Sequence, residues 1–172
     1  MRIMVQKFGG TSVATKERMR QVLGKVRAGL ASGCKVIAVL SARSGETNAL
    51  LALANEWSDN PDPAELDQLV CTGEQVSVAL FAMLLKDEGI SARSFTGQQI
   101  GITTDEVHGK ARIKNIDTGR ILAMFGQYDV LVVAGFQGIT AEGRVTTLGR
   151  GGSDTSAVAL AAAANAELCE IY

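Results

Sequence analysis

The chain has 172 residues, 47% of them hydrophobic, enough to bury one core without disulfides or a structural metal, so one domain is the expected count. Its 17 basic and 18 acidic side chains leave a formal net charge of −1 with no run of either sign, which argues against a nucleic-acid or membrane-surface partner. Cys34, Cys71 and Cys169 are odd in number, unrelated in spacing and set in or beside apolar stretches, which fits a reduced cytoplasmic protein better than a disulfide framework or a zinc site.

Ile3 to Lys7 reads as a short buried strand that runs directly into Gly9-Gly10, with no basic-then-apolar leader in front of it. Met19, Val22, Leu23, Val26 and Leu30 then recur at helical spacing until Gly33. Val36 to Leu40 is a continuous apolar run ending at Ser41, the pattern of an interior parallel strand, so the chain opens as a βαβ unit. A polar loop, Ser41 to Thr47, leads into a short helix with Leu50, Leu51, Ala54 and Trp57 on one side. Asn60-Pro61-Asp62-Pro63 stops that helix and starts another, in which Leu66, Leu69 and Val70 share a face. Gly73 predicts a break that leaves Glu74 at a helix start, before Val76, Leu80 and Leu84 resume the pattern.

Ala92 to Phe95 and Ala111 to Ile116 are strand candidates in a mixed stretch. Asp117 or Thr118 can cap a short helix that buries Ile121, Leu122 and Phe125 and ends at Gly126. Val130 to Ala134 is a second interior strand, and Gly135 to Gly149 reads as a hairpin-like excursion. Asp154 to Ala164 is an alanine-rich helix whose apolar tract, Ala157 to Ala164, is too short to span a bilayer, and Leu168 to Tyr172 is one more strand. Apolar strands alternating with helices predict a three-layer αβα sandwich with a mainly parallel sheet, which binds ligands beyond the carboxyl ends of its strands.

Two glycine-rich loops and the helix break near Gly73 carry chemical equipment. In Lys7-Phe8-Gly9-Gly10-Thr11-Ser12, two glycines can bring backbone amides up to an anion beside the Lys7 charge; the same residues also suit a tight turn with Thr11 or Ser12 as helix cap. It matches neither GxxxxGK[ST] nor GxGxxG. In Gly149-Arg150-Gly151-Gly152-Ser153-Asp154, an arginine fork lies beside a possible nest of amides, or else Ser153 or Asp154 is a plain cap. In Thr72-Gly73-Glu74, the carboxylate read alone is a first-turn residue stabilised by the helix dipole. Arg43 and Asn48 read as ordinary loop residues, and His108, with no nucleophile at a telling distance, as a solvated loop histidine.

The two glycine loops in this order, with Thr72-Gly73-Glu74 between them, and the stretches Ser94-Phe95-Thr96-Gly97, Ala134-Gly135-Phe136-Gln137-Gly138 and Cys169-Glu170-Ile171-Tyr172 resemble the amino-acid kinase superfamily and, within it, the aspartate kinases, over all 172 residues. The resemblance implies an amino-acid (carbamate) kinase-like fold. The reaction implied is transfer of the γ-phosphoryl group of ATP, carried with Mg2+, to the side-chain carboxylate of L-aspartate. The product would be 4-phospho-L-aspartate, at the entry to lysine, threonine and methionine biosynthesis. A carboxylate acceptor is ionised at neutral pH and needs no base, so positioning and charge neutralisation would carry such a transfer.

By the same resemblance, Lys7 neutralises the transferring phosphate and Asp154 holds Lys7, while Phe8, Gly9, Gly10 and Ser41 lie along the phosphates. Arg150 clamps the α-carboxylate of the substrate and Glu74 pairs with its α-ammonium. Ser41, Thr47, Gly151, Gly152 and Ser153 add contacts, and Phe136 lines the pocket. No metal ligand and no role for Arg43 to Glu46 are implied. Aspartate kinases continue beyond the strand matching Cys169 to Tyr172 into segments that bind the rest of the nucleotide, and then into regulatory domains. Residues 1–172 are therefore expected to be the aspartate-binding, N-terminal part of a catalytic domain, C-terminally truncated and weak or inactive in ATP turnover alone, from a homo-oligomeric enzyme. A kinase of another small acid, such as glutamate or an acylated glutamate, and a non-catalytic ligand-binding or assembly module are the alternatives; a free α-ammonium needs a carboxylate, so Glu74 counts against acylated substrates.

Overall fold

In the computed structural model, which describes residues 1–172, the chain runs β1 (Arg2–Phe8), α1 (Lys16–Ala31), β2 (Cys34–Leu40), α2 (Glu46–Trp57), α3 (Pro63–Val70), α4 (Thr72–Asp87), β3 (Ala92–Phe95) and α5 (Gly97–Ile100). It continues through β4 (Ile102–Thr104), β5 (Ile113–Ile116), α6 (Thr118–Phe125), β6 (Val130–Ala134), β7 (Gln137–Ile139), β8 (Val145–Thr147), α7 (Gly152–Ala163) and β9 (Leu168–Ile171). The main sheet has the order β3-β6-β2-β1-β9, with every neighbouring pair parallel. Phe8 pairs with Leu40 and Leu40 with Ala134, so the carboxyl ends of β1, β2 and β6 finish level.

Strand side chains alternate between faces, and both faces of this sheet are apolar because both are covered. Phe8, Val36, Ala38, Leu40 and Val132 pack against Met19, Val22 and Val26 of α1 and Val78, Phe81 and Leu85 of α4. Ile37, Val39, Leu131 and Val133 pack on the other side against Ile121 and Phe125 of α6 and Ala157 and Leu160 of α7. Each large side chain sequestered this way contributes about 1.5–3 kcal/mol of transfer free energy. The expected three-layer αβα sandwich is therefore the architecture found.

A second, four-stranded sheet in the order β5-β4-β7-β8 stands beside it, with β4–β5 and β7–β8 antiparallel and β4–β7 parallel. The β7–β8 pair is the hairpin-like excursion. The sequence pattern does not announce α5 or β4; α5 is four residues long and held by a reciprocal Thr96–Gln99 capping box. β5 starts at Ile113 rather than Ala111, whose amide instead donates to Thr147 O at 2.8 Å.

Several local expectations are corrected. Thr15, not Thr11 or Ser12, caps α1 by accepting from Arg18 N. Gly151 occupies the cap position of α7, so Ser153 and Asp154 belong to the first turn and cap nothing. Of the face expected to pack on α2 only Ala54 is buried, and Trp57 is 85% exposed. Leu122 of α6 is also exposed, since Ile121 and Phe125, four apart, already fill the contact stripe. The break expected near Gly73 falls at Cys71, between α3 and α4. The combined stretch Pro63–Asp87 is long and apolar enough to cross a membrane by length and composition, and 50% of its apolar window is buried inside the domain, as in a core helix.

Candidate active site

The level carboxyl ends of β1 and β2, the first turns of α4 and α7 and the loop before α7 enclose an open cleft of about 460 Å³. Lys7, Asp154 and all eight side chains or glycines expected to bind substrate line it. Ala42, Asn48, Leu51 and Gly149 complete the lining; all but Leu51 adjoin nominated residues in sequence, but nothing in their own type marks them.

Lys7 is the last but one residue of β1. Its ammonium lies 2.6 Å from Asp154 Oδ1 on the first turn of α7, with the lysine side chain only 12% exposed. Because β1 packs on α7, the pair bridges the sheet and the glycine loop. Phe8 does not face the cleft: its ring is buried and stacks on Tyr172 at 5.2 Å. The Gly9 amide is taken by Tyr172 O at 3.1 Å, whereas the Gly10 amide has no partner within the chain. Of the two glycine amides expected at the phosphates, Gly10 is thus the one free to donate.

The loop after β2 is tied down at both ends: Ser41 N donates to Phe8 O, and Ser44 N to Gly10 O. This brings Ala42 against the start of α4, where Glu74 Oε1 accepts from Ala42 N at 3.0 Å. Gly73 permits that approach, since a Cβ there would lie 2.8 Å from the Ala42 Cβ. Glu74 is 3% exposed, and its second oxygen, Oε2, has no partner. Burial pushes its carboxyl up to about 7, against the opposing effect of the Ala42 amide. A buried carboxylate oxygen without a donor, on the wall of a cleft, is a site that a cation would complete.

Arg150, also in the lining, projects from a tip between Gly149 at φ 77° and Gly151 at φ 74°, and none of the chain's ion pairs engages it. Phe136 holds a left-handed φ of 70°, which costs a non-glycine residue about 1–3 kcal/mol. Two hydrogen bonds keep it there, from Phe136 N to Ser156 Oγ at 3.0 Å and from Leu148 N to Phe136 O at 2.9 Å. Nothing in the residue types predicts this strain. Arg43, given no role, pairs with Glu46 at 2.8 Å in the loop beside the cleft.

His108 is not a solvated loop residue. Its Nδ1 lies 2.9 Å from Asp67 Oδ2, and Asp67, on α3, is itself buried. Sequence reading passes over Asp67 because a carboxylate in Asp-Gln-Leu-Val looks like helix surface. No group of three or more His, Cys, Asp or Glu residues converges in the chain.

A model of the Amino acid kinase family matches residues 2–172. Aspartokinase of Geobacillus stearothermophilus and aspartokinase of Pseudomonas aeruginosa are each 54% identical to this chain over 172 residues. All of this chain is covered in both matches, and it spans 42% of the length of each relative. Among solved structures, aspartate kinase from Synechocystis superposes with a TM-score of 0.85 at 45% identity, covering 99% of this chain and 28% of that one. E. coli aspartokinase III, in complex with aspartate and ADP, superposes with a TM-score of 0.83 at 27% identity, covering 99% of this chain and 49% of that one.

Proposed function

The chain belongs to the amino acid kinase family, and on that footing we propose that residues 1–172 form the acceptor-binding part of an aspartate kinase catalytic domain. The observation that carries the reading is the unpartnered, buried Glu74 Oε2 in the same cleft as the unpaired Arg150 guanidinium. A carboxylate and a guanidinium lining one cleft recognise a zwitterion: Glu74 takes the α-ammonium and Arg150 the α-carboxylate in bidentate fashion. The acceptor carboxylate of L-aspartate is then left to point toward Lys7.

Lys7 neutralises charge that builds on the γ-phosphoryl oxygens of ATP as the acceptor oxygen attacks, and the free Gly10 amide donates to the same group. Asp154 fixes the ammonium of Lys7 and abstracts nothing, because a carboxylate nucleophile has no proton to lose. Ser41, Thr47 and Ser153 supply neutral hydrogen bonds around the substrate, and Phe136 walls off one side. Adenine and ribose recognition is assigned to no residue of this chain.

Calorimetric titration with L-aspartate, L-glutamate and N-acetyl-L-aspartate tests the reading. L-Aspartate is expected to bind best and N-acetyl-L-aspartate not at all, since acylation removes the cation that Glu74 awaits. Preference for glutamate would transfer the proposal to a kinase of the longer acid, and preference for the acetylated ligand would overturn it.

A further inference from the structure

Asp67 does the opposite of what a lone acid on a helix usually does. It is 2% exposed, yet accepts from four donors: His108 Nδ1 at 2.9 Å, Gly109 N at 3.0 Å, Thr147 N at 3.0 Å and the Thr147 hydroxyl. The donors come from two segments, the loop between β4 and β5 and the end of β8, so one carboxylate on α3 staples both. Further bonds reinforce the join: Ala111 N donates to Thr147 O at 2.8 Å, and the hydroxyls of Thr104 and Thr146 lie 2.6 Å apart.

Arg150 follows Thr147 by three residues. Between them Gly149, in the left-handed region, rests on the stapled loop; a Cβ there would meet Gly109 O at 3.2 Å. The far side of the tip is closed by Gly152 N donating to Gly149 O at 2.9 Å. The guanidinium itself is unpaired and sits on an exposed tip flanked by two glycines, so its position depends on what lies beneath the tip.

We propose that Asp67 and His108 are positioning residues for the Arg150 anion clamp: they hold the 105–110 loop as a bracket under Gly149 and so set where the guanidinium meets the α-carboxylate of the substrate. The inference rests on the reading of the cleft as an amino-acid site. Neither residue touches the substrate. Their contribution is to keep a glycine-flanked arginine ordered before the ligand arrives, which lowers the entropy lost on binding.

A double-mutant cycle on the 172-residue chain tests this. His108→Gln and Asp67→Asn are each expected to weaken L-aspartate binding by about tenfold or more, while in an Arg150→Ala background the same changes have no further effect. A purely structural role would weaken binding in both backgrounds alike, and that additivity would overturn the proposal. His108 is the chain's single histidine, so its imidazole NMR resonances give an independent readout if Asp67→Asn does not fold. Saturating L-aspartate is expected to shift them in the wild-type chain and to leave them unmoved in Arg150→Ala. Wild-type resonances that ignore bound aspartate, together with an unchanged affinity in His108→Gln, would overturn the bracket alone. Failure of the wild-type chain to bind aspartate would instead remove the proposed function, and the bracket with it.

Discussion

The second half of α3 and the first turn of α4 each bury a carboxylate, seven residues apart, and treat it in opposite ways. Asp67 accepts from four donors, whereas Glu74, on the wall of the cleft, has one, Ala42 N, and an orphaned Oε2. A buried charge with every lone pair engaged holds segments together; a buried charge left half-satisfied stores a cost that a ligand can relieve. The first is a device of the fold and the second a device of the site, and burial alone does not distinguish them.

Removing each carboxylate sharpens that contrast. Asp67→Ala strands four donors at once and is expected to destabilise the chain by about 3–5 kcal/mol in urea denaturation; a loss below about 1 kcal/mol would show that the staple is idle. Glu74→Gln is expected to do the reverse, raising stability by roughly 1–3 kcal/mol above pH 7. The folded carboxyl titrates near 7 and the ordinary one near 4.5, so its contribution to stability is fully present below pH 4.5 and is lost as the pH rises through 7. The advantage of Glu74→Gln should therefore fade in denaturation curves recorded toward pH 4.

A smaller effect concerns the ligand. An α-ammonium pairs only with the ionised Glu74, so L-aspartate affinity should fall by up to about tenfold for each pH unit below 7 and level off above it. Calorimetry from pH 5.5 to 8.5 would show the bend. A flat profile would place the ammonium elsewhere.

How much of this was legible depended on whether a residue's partners were near it in sequence. β1, β2 and β6 are apolar on both faces, so their runs stand out, and the glycines around Lys7, Glu74 and Arg150 mark the loops that meet in the cleft. β4, β7 and β8 have three residues each, too few to show a period. Asp67 was invisible because its partners lie 41 to 80 residues away, and no local pattern announces a carboxylate that turns inward to meet them. The backbone strain at Phe136 is likewise set by Ser156, on a helix twenty residues further along.

The central claim is that the cleft recognises a free amino acid through the buried, half-satisfied Glu74. Calorimetric titration of L-aspartate into the wild-type chain and Glu74→Gln at pH 8 tests it most directly. The account predicts clear binding to the first and a loss of about a hundredfold or more in the second, with the fold intact. Equal affinity for both proteins would contradict it.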